Sequence, residues 1–297
     1  MTNESSIIKG ADYALLDEAY SYEALWLREK ASFKSIASLF QSNPGKRPSD
    51  LVTEYERNKA KNELVGKLSM EFISKIGISI NQSKSYPTQL RSAVNPIELF
   101  YYKGNIELAK SRTIAIIGSR KVSEEGKQRA HRVAKVLCQS GFTIVSGLAE
   151  GVDVHAHLTA MKYSGNTIAV IGTSLDTFYP KQHKKIQEQI AAQHLLISQV
   201  PFLRYHNQDF RVNRHFFPER NATMSALSEA TLIVEANDRS GTLTQAKHAI
   251  KQNRKLFILN NCFEEKANSW PWKYLELGAV RVKEPSDIID NLNGTRK

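Results

Sequence analysis

Four short loops place small and hydroxylated residues directly after apolar runs: Gly118-Ser119-Arg120-Lys121, Ser146-Gly147-Leu148-Ala149-Glu150-Gly151, Gly172-Thr173-Ser174 and Asn237-Asp238-Arg239-Ser240-Gly241-Thr242. Small side chains let backbone N–H groups close on an anion, hydroxyls add donors, and a helix after the loop brings about half a positive charge to its N-terminus. Phosphate is the chemistry such loops serve. Any one of them is explained equally well by the steric needs of a strand-to-helix turn. Four together point to one phosphate-lined crevice. The ligand need not be a cofactor: Gly118 is followed by Arg120 where a dinucleotide turn needs its second glycine, and no G-x-G-x-x-G comes after any strand.

A second pattern lies in residues 202–220, FLRYHNQDFRVNRHFFPER, where Arg204, Arg211, Arg214 and Arg220 alternate with Phe202, Tyr205, Phe210, Phe216 and Phe217. Aromatic faces stack on unpaired bases while arginine meets phosphate, which suits single-stranded nucleic acid. The competing reading packs the rings into the core and pairs the arginines with Asp209 and Glu219. Asp153-Val-His155-Ala-His157 contains metal-ligand residue types, but it opens a helix on which only Asp153 and His157 share a face. An N-cap aspartate with a buried, hydrogen-bonded histidine is the expectation, with no metal and no cofactor. No Ser/His/Asp or Cys/His arrangement is readable. Glu150 and Glu235 are the strand-end acids to test for catalysis.

The elements that must position these residues can be read from periodicity. Residues 11–80 are rich in helix formers with apolar residues at helical spacing, interrupted by Ser42-Asn-Pro-Gly-Lys-Arg-Pro-Ser49. They predict a small all-α N-terminal domain over 1–85. Residues 86–112, with Pro87 and Pro96, predict an irregular connector packed on the carboxyl-terminal domain. From 113 to 297 short β-branched runs recur at 113–117, 142–145, 167–171, 195–198, 231–235 and 255–259, separated by amphipathic helices. Runs apolar on both faces are central parallel strands, so an α/β fold with a doubly wound sheet is expected, with ligands bound at the carboxyl ends of its strands.

Composition sets the outer bounds. With 41 Lys and Arg against 30 Asp and Glu, the net charge is +11, which favours a polyanionic partner such as nucleic acid. Cys138 and Cys262 stand far apart, giving neither a disulfide framework nor a CxxC site. The first ten residues lack a basic segment followed by an apolar one, and no run approaches a membrane span, so a cytoplasmic protein without a membrane partner is expected.

Several blocks together resemble the DNA-processing protein A family, DprA or Smf: Tyr86-Pro87, Gly104-Asn105, Ile-Ile-Gly-Ser-Arg120, Val-Ser-Gly-Leu-Ala-Glu-Gly-Val-Asp153, Ala-His157, Ile-Gly-Thr-Ser-Leu-Asp176, Tyr179-Pro180, Phe217-Pro-Glu-Arg-Asn221, Leu227-Ser228, Val-Glu-Ala236 and Ser240-Gly-Thr-Leu243. The resemblance implies an extended Rossmann-like, mostly parallel sheet in a homodimer that binds single-stranded DNA and helps load a recombinase during natural transformation. By position it implies that Arg120 contacts backbone phosphate, that Phe217 stacks on a base, that Arg214, Arg220 and Asn221 line the same groove, and that Gly172 and Thr173 form another groove-lining turn. The chain departs from the family pattern at Ser174, His183, Gln199, Ala222 and Asn260-Asn261-Cys262, which fits a divergent paralogue in mobile-element or phage-related biology.

The expected contact set is Gly118, Ser119, Arg120, Lys121, Ser146, Gly147, Gly172, Thr173, Arg211, Arg214, Phe217, Arg220, Asn221, Ser240, Gly241 and Thr242. The expected function is non-enzymatic binding of single-stranded DNA, protecting it or presenting it to a recombinase. The alternatives are a Rossmann-like nucleotide sensor or hydrolase, and an interaction scaffold that grips a partner through the N-terminal helices. Against the hydrolase, the loop after Glu235 lacks the Pro-Gly-Gly-x-Gly-Thr stretch of phosphoribohydrolases and the catalytic acid beyond it.

Overall fold

The computed structural model of the protein describes residues 13–294. The amino-terminal ten residues, and the outer domain limits at 1 and 297, lie outside the described residues. The β-branched runs form strands that are buried on both faces: every residue of Thr113–Ile117 and of Thr167–Ile171 is buried. Among the described residues nine strands make one sheet: β1 (Gly77–Ile80), β2 (Leu99–Gly104), β3 (Thr113–Ile117), β4 (Thr143–Ser146), β5 (Thr167–Ile171), β6 (Leu195–Ser198), β7 (Ala230–Ile233), β8 (Lys255–Leu259) and β9 (Val280–Val282). Their order is β1-β2-β6-β5-β4-β3-β7-β8-β9. From β6 to β9 every pairing is parallel, while β1 with β2 and β2 with β6 are antiparallel. The fold is the extended Rossmann-like, doubly wound arrangement that the sequence predicts.

Two strands stand where the sequence predicts something else. β1 closes the stretch read as helical, and β2 lies inside the stretch read as an irregular connector. The aromatic run Leu99-Phe100-Tyr101-Tyr102 has strong strand preference. Its register on β6, with Tyr101 opposite Ser198, extends the sheet by an antiparallel edge. Gly77 is needed there, because a Cβ at that position would lie 2.1 Å from the Tyr102 ring.

The helices Tyr13–Leu27, Phe33–Gln41, Glu54–Lys67 and Met70–Ser74 form as the periodicity indicates, and Ser32 and Thr53 begin two of them with reciprocal capping boxes. Leu25, Trp26 and Phe33 share one continuous core with Tyr101 and Leu196 of the sheet and with Phe202 and Phe216. Glu23, wholly buried, fixes this contact: its carboxylate accepts from Tyr101 Oη at 2.6 Å and from the Phe202 and Leu203 amides at 2.9 Å each. Burial pushes the Glu23 carboxyl up to about 7. The same residue that satisfies the first amides of the Phe202–Asn207 helix thus ties the N-terminal helices to the start of the arginine–aromatic segment. No described helix is long and apolar enough to cross a membrane.

Candidate functional site

The sheet is wound outward in both directions from β3 and β7, which lie side by side in parallel with Ile117 opposite Ile233. Loops that leave two such strands part from each other, and the crevice between them is where doubly wound sheets take ligands. The Ser119 amide donates to the Glu235 carbonyl at 2.7 Å, which joins the two loops at their base. Above that joint opens a cavity of about 590 Å³. Gly118, Ser119, Arg120 and Lys121 line one side, Asn237, Arg239, Ser240, Gly241 and Thr242 another, and Ala149, Asp153, Phe217, Pro218, Arg220, Asn221, Met224, Thr244 and Gln245 complete it with Ile117. The Thr242–Lys251 helix begins at this cavity; the Thr242 amide donates to Ser240 Oγ at 3.2 Å, and the positive end of the helix dipole lies at the cavity wall.

Arg120, Lys121 and Arg239 are exposed on the rim, and none forms an ion pair among the described residues. Arg220 differs from them. It is 5% exposed, and its Nη1 donates to the carbonyls of Gly147 at 2.6 Å and Val170 at 2.8 Å. Burial pushes its guanidinium down to about 10 against the pull of Asp153. Burial likewise raises the Asp153 carboxyl, opposed by Arg220 and by the Gly147 amide, which donates to it at 3.1 Å. Both residues lie on the cavity wall, where Arg120, Lys121, Arg220 and Arg239 outnumber Asp153, so the lining is net positive.

Phe217 is half-buried and packs over Gly172, where an added Cβ would lie 2.7 Å from the ring. The Tyr179 ring stands 5.4 Å away, 48% exposed, and the Arg220 guanidinium is 5.9 Å from the Phe217 centroid. Gly172 under the ring and buried Arg220 beside it fix the partly buried Phe217 at the cavity wall.

The structure brings ten of the expected residues to this cavity: Gly118, Ser119, Arg120, Lys121, Phe217, Arg220, Asn221, Ser240, Gly241 and Thr242. It places the others elsewhere. Ser146 and Gly147 are buried behind the wall; Ser146 Oγ donates to the Ile116 carbonyl and Gly147 provides room for Arg220, whose Nη1 a Cβ would meet at 1.9 Å. Gly172 and Thr173 are buried too, the first beneath Phe217 and the second bonded to the Thr177 carbonyl. These positions shape the wall rather than line it. Arg211 and Arg214 are exposed but line no part of the cavity; both guanidinium groups stand about 6 Å from the ring of Phe210, at 5.8 and 5.9 Å.

The arginine–aromatic segment divides accordingly. Phe202 and Phe216 are core residues at 0% and 5% exposure, so they offer no face to a ligand, whereas Phe210 is 64% exposed. Asp209 and Glu219 do not neutralise the arginines: Asp209 accepts from the Arg211 amide and Glu219 from Asn95. Asp153, Arg239 and Gln245 are cavity residues that residue type and spacing did not single out for this site. Arg239 was visible in its loop, but only the fold shows that Asp153 and Gln245 reach the same space.

The strand-end acids have other work. Glu235 accepts from the Ser123 amide at 3.0 Å and from the Ser123 hydroxyl, which fastens the start of the Glu124–Gln139 helix. Glu150 accepts from Gln182. Asp153 is not an N-cap; Gly151, at φ +76°, holds that place, with Ser119 and Arg120 carbonyls too close for any Cβ. His157 is wholly buried, its Nδ1 2.7 Å from the Thr167 hydroxyl, and burial pushes it down to about 3. No group of three or more metal-ligating side chains occurs among the described residues.

Residues 77–293 match the sequence model of the family described as DNA recombination-mediator protein A. The chain is 32% identical over 211 residues to the DNA processing protein DprA of Bacillus subtilis (strain 168), an alignment spanning 71% of this chain and 69% of the relative. Among solved structures, DNA processing protein A from Streptococcus pneumoniae aligns over 93% of this chain and 95% of its own, with a TM-score of 0.65 and 26% identity. DNA processing protein A from Helicobacter pylori, solved in connection with its single-stranded DNA binding mode, aligns over 75% of this chain and 98% of its own, with a TM-score of 0.61 and 28% identity. A doubly wound sheet with this crevice at its switch point, and a family match that covers most of it, lead to one assignment: the chain belongs to the DNA recombination-mediator protein A family.

Proposed function

We propose that the crevice binds single-stranded DNA and that the protein protects the strand or presents it to a recombinase, in DNA uptake, recombination or a related mobile-element process, without catalysing a reaction. The observation that carries the reading is the company Phe217 keeps: a partly buried ring at the cavity wall beside the unpaired cations Arg120, Lys121 and Arg239 and a helix N-terminus. Cations and amides meet phosphates irrespective of sequence, and the ring takes an unstacked base that a duplex would keep covered. In this reading Asn221 donates to phosphate or sugar, Ser119, Ser240 and Thr242, whose hydroxyls donate to the Lys121 carbonyl, to Thr242 Oγ1 and to the Gly118 carbonyl, shape the edge of the crevice, Arg211 and Arg214 meet the strand as it leaves, and the working unit is a homodimer. The single-stranded DNA binding described for the Helicobacter pylori relative supports it. Hydrolysis of a small nucleotide is the weaker reading, since Glu150, Glu235 and Asp153 are each held by protein donors.

Anisotropy titration of a labelled single strand against wild type, Arg120→Ala and Phe217→Ala tests the proposal. Weakened binding by both variants supports it. Equal affinity for all three proteins sinks it.

A further inference from the structure

Phe210 lies outside the crevice and is 64% exposed, with the guanidinium groups of Arg211 and Arg214 at 5.8 and 5.9 Å from its ring centroid. A lone exposed ring on a surface needs no explanation. Two like charges gathered at one ring do, because neither arginine forms an ion pair among the described residues. The nearest acid in sequence, Asp209, is turned to the backbone, where it accepts from the Arg211 amide at 2.7 Å. The backbone joins this ring to the crevice. Arg214 and His215 keep right-handed helical angles, φ −59° with ψ −24° and φ −68° with ψ −15°, so the Phe210–Asn213 turn runs on into the Phe216–Leu227 helix. Asn213, Phe216 and Arg220 are buried at helical steps of three and four, and Phe210, Arg214 and Phe217 follow at steps of four and three on the outer side. Arg214 therefore stands between the two rings, one turn from each, and the helical rise sets the rings ~10.5 Å apart along the segment.

We propose that Phe210 is a second base seat, outside the crevice: a strand leaving the crevice passes over Arg214 and lays a further base on the Phe210 ring. The inference rests on the single-stranded DNA reading and extends it to a surface that the cavity does not reach. The occupant follows from the charge. Any unstacked base can lie on an exposed ring, while Arg211 and Arg214 meet the phosphates on either side of it. An apolar protein segment over Phe210 would instead bury two guanidinium groups without partners, and a duplex keeps its base faces covered. With stacked bases ~3.4 Å apart, a separation of ~10.5 Å is about three nucleotides, and fewer if the strand is drawn out.

The test measures affinity for labelled oligodeoxythymidylates of about 2 to 12 nucleotides, bracketing the usual size of such sites, with wild type, Phe210→Ala and Phe210→Tyr. At 64% exposure the truncation to alanine opens no core cavity. Phe210→Ala is expected to match wild type on the shortest strands that bind, to stop gaining affinity about three nucleotides sooner, and to bind the longest strands about five-fold or more weakly, the lower end for one base stacked on a ring. Phe210→Tyr keeps the ring and is expected to behave as wild type. The slope of log affinity against log salt is expected to be the same in all three proteins, since no cation is removed. Phe210→Ala that binds every length as wild type does overturns the inference and leaves the single-stranded DNA reading standing. A loss that is equal at all lengths overturns it too, and so does a loss with a flatter salt slope, which marks the ring as a support for the arginines. Wild type that binds no strand at any length overturns both.

Discussion

Gly147→Ala should destabilise the protein through a side chain on another helix. Gly147 has ordinary backbone angles, so alanine brings no strain of its own, and by restricting the unfolded chain it should stabilise by about 0.4–1 kcal/mol. Its Cβ, however, would lie 1.9 Å from Arg220 Nη1, where the guanidinium is held by the Gly147 and Val170 carbonyls next to buried Asp153. Breaking a buried charge arrangement of this kind costs about 3–5 kcal/mol. The net loss is therefore about 2–4 kcal/mol, a fall in Tm on the order of 10 °C. Urea denaturation measures it directly. If the cause is the collision, the same substitution made in an Arg220→Met background should cost less than about 1 kcal/mol. Gly66→Ala, in a helix with nothing within 4 Å of the added Cβ, should instead stabilise by about 0.5–1 kcal/mol. An equal cost of Gly147→Ala in both backgrounds, or a cost under about 0.5 kcal/mol in the wild-type background, refutes the reasoning.

Phe217→Ala should weaken single-strand binding by about 1–3 kcal/mol, read by anisotropy; circular dichroism should keep its folded signature, because the ring is only partly buried. Alanine at Arg120, Lys121 or Arg239 should each reduce the slope of log affinity against log salt by about 0.7, measured by titration across a salt series. The pH dependence has two opposed parts. His157 is held neutral in the fold, down to about 3, while the unfolded chain takes the proton near 6.5, so stability should fall as pH drops from 6.5 to 3, by up to about 1.4 kcal/mol per unit. Glu23, raised to about 7 from an ordinary 4.5, binds its proton in the fold first and stabilises as pH drops from 7 to 4.5. Urea denaturation should therefore place the net loss mainly below pH 4.5 in wild type, whereas in Glu23→Gln the loss should begin near 6.5. Burial pushes the Cys138 and Cys262 thiols up to about 11 and 12, so a thiol reagent at pH 8 should label neither until the protein unfolds.

The central sheet was legible because its strands are buried on both faces and therefore apolar throughout; β3, β5, β6 and β8 occupy the very runs that the pattern marks. β2 escaped notice because Pro87 and Pro96 precede it and mark the stretch as irregular. β9 is only three residues long, too short for any period. Glycine turns at 118 and 241 were readable as cavity residues, but at 147 and 172 the same residue type serves a neighbour's side chain, and composition cannot separate the two uses. Arg220 illustrates the limit. An arginine beside aromatics reads as a phosphate contact, and only the packing of the Phe216–Leu227 helix shows that two backbone carbonyls already hold it. Gln245 gave no signal at all, because an unpartnered amide becomes conspicuous only once its surroundings are known.

The central claim is that Phe217 and the cations around it form the seat of a single strand. Photocrosslinking with an oligonucleotide carrying 5-iododeoxyuridine, followed by peptide mapping, tests it most directly, since the reagent joins a stacked aromatic side chain. The expected adduct is on Phe217, lost in Phe217→Leu and suppressed in Arg120→Ala. A principal adduct on an aromatic remote from the crevice, such as exposed Trp272, contradicts the claim.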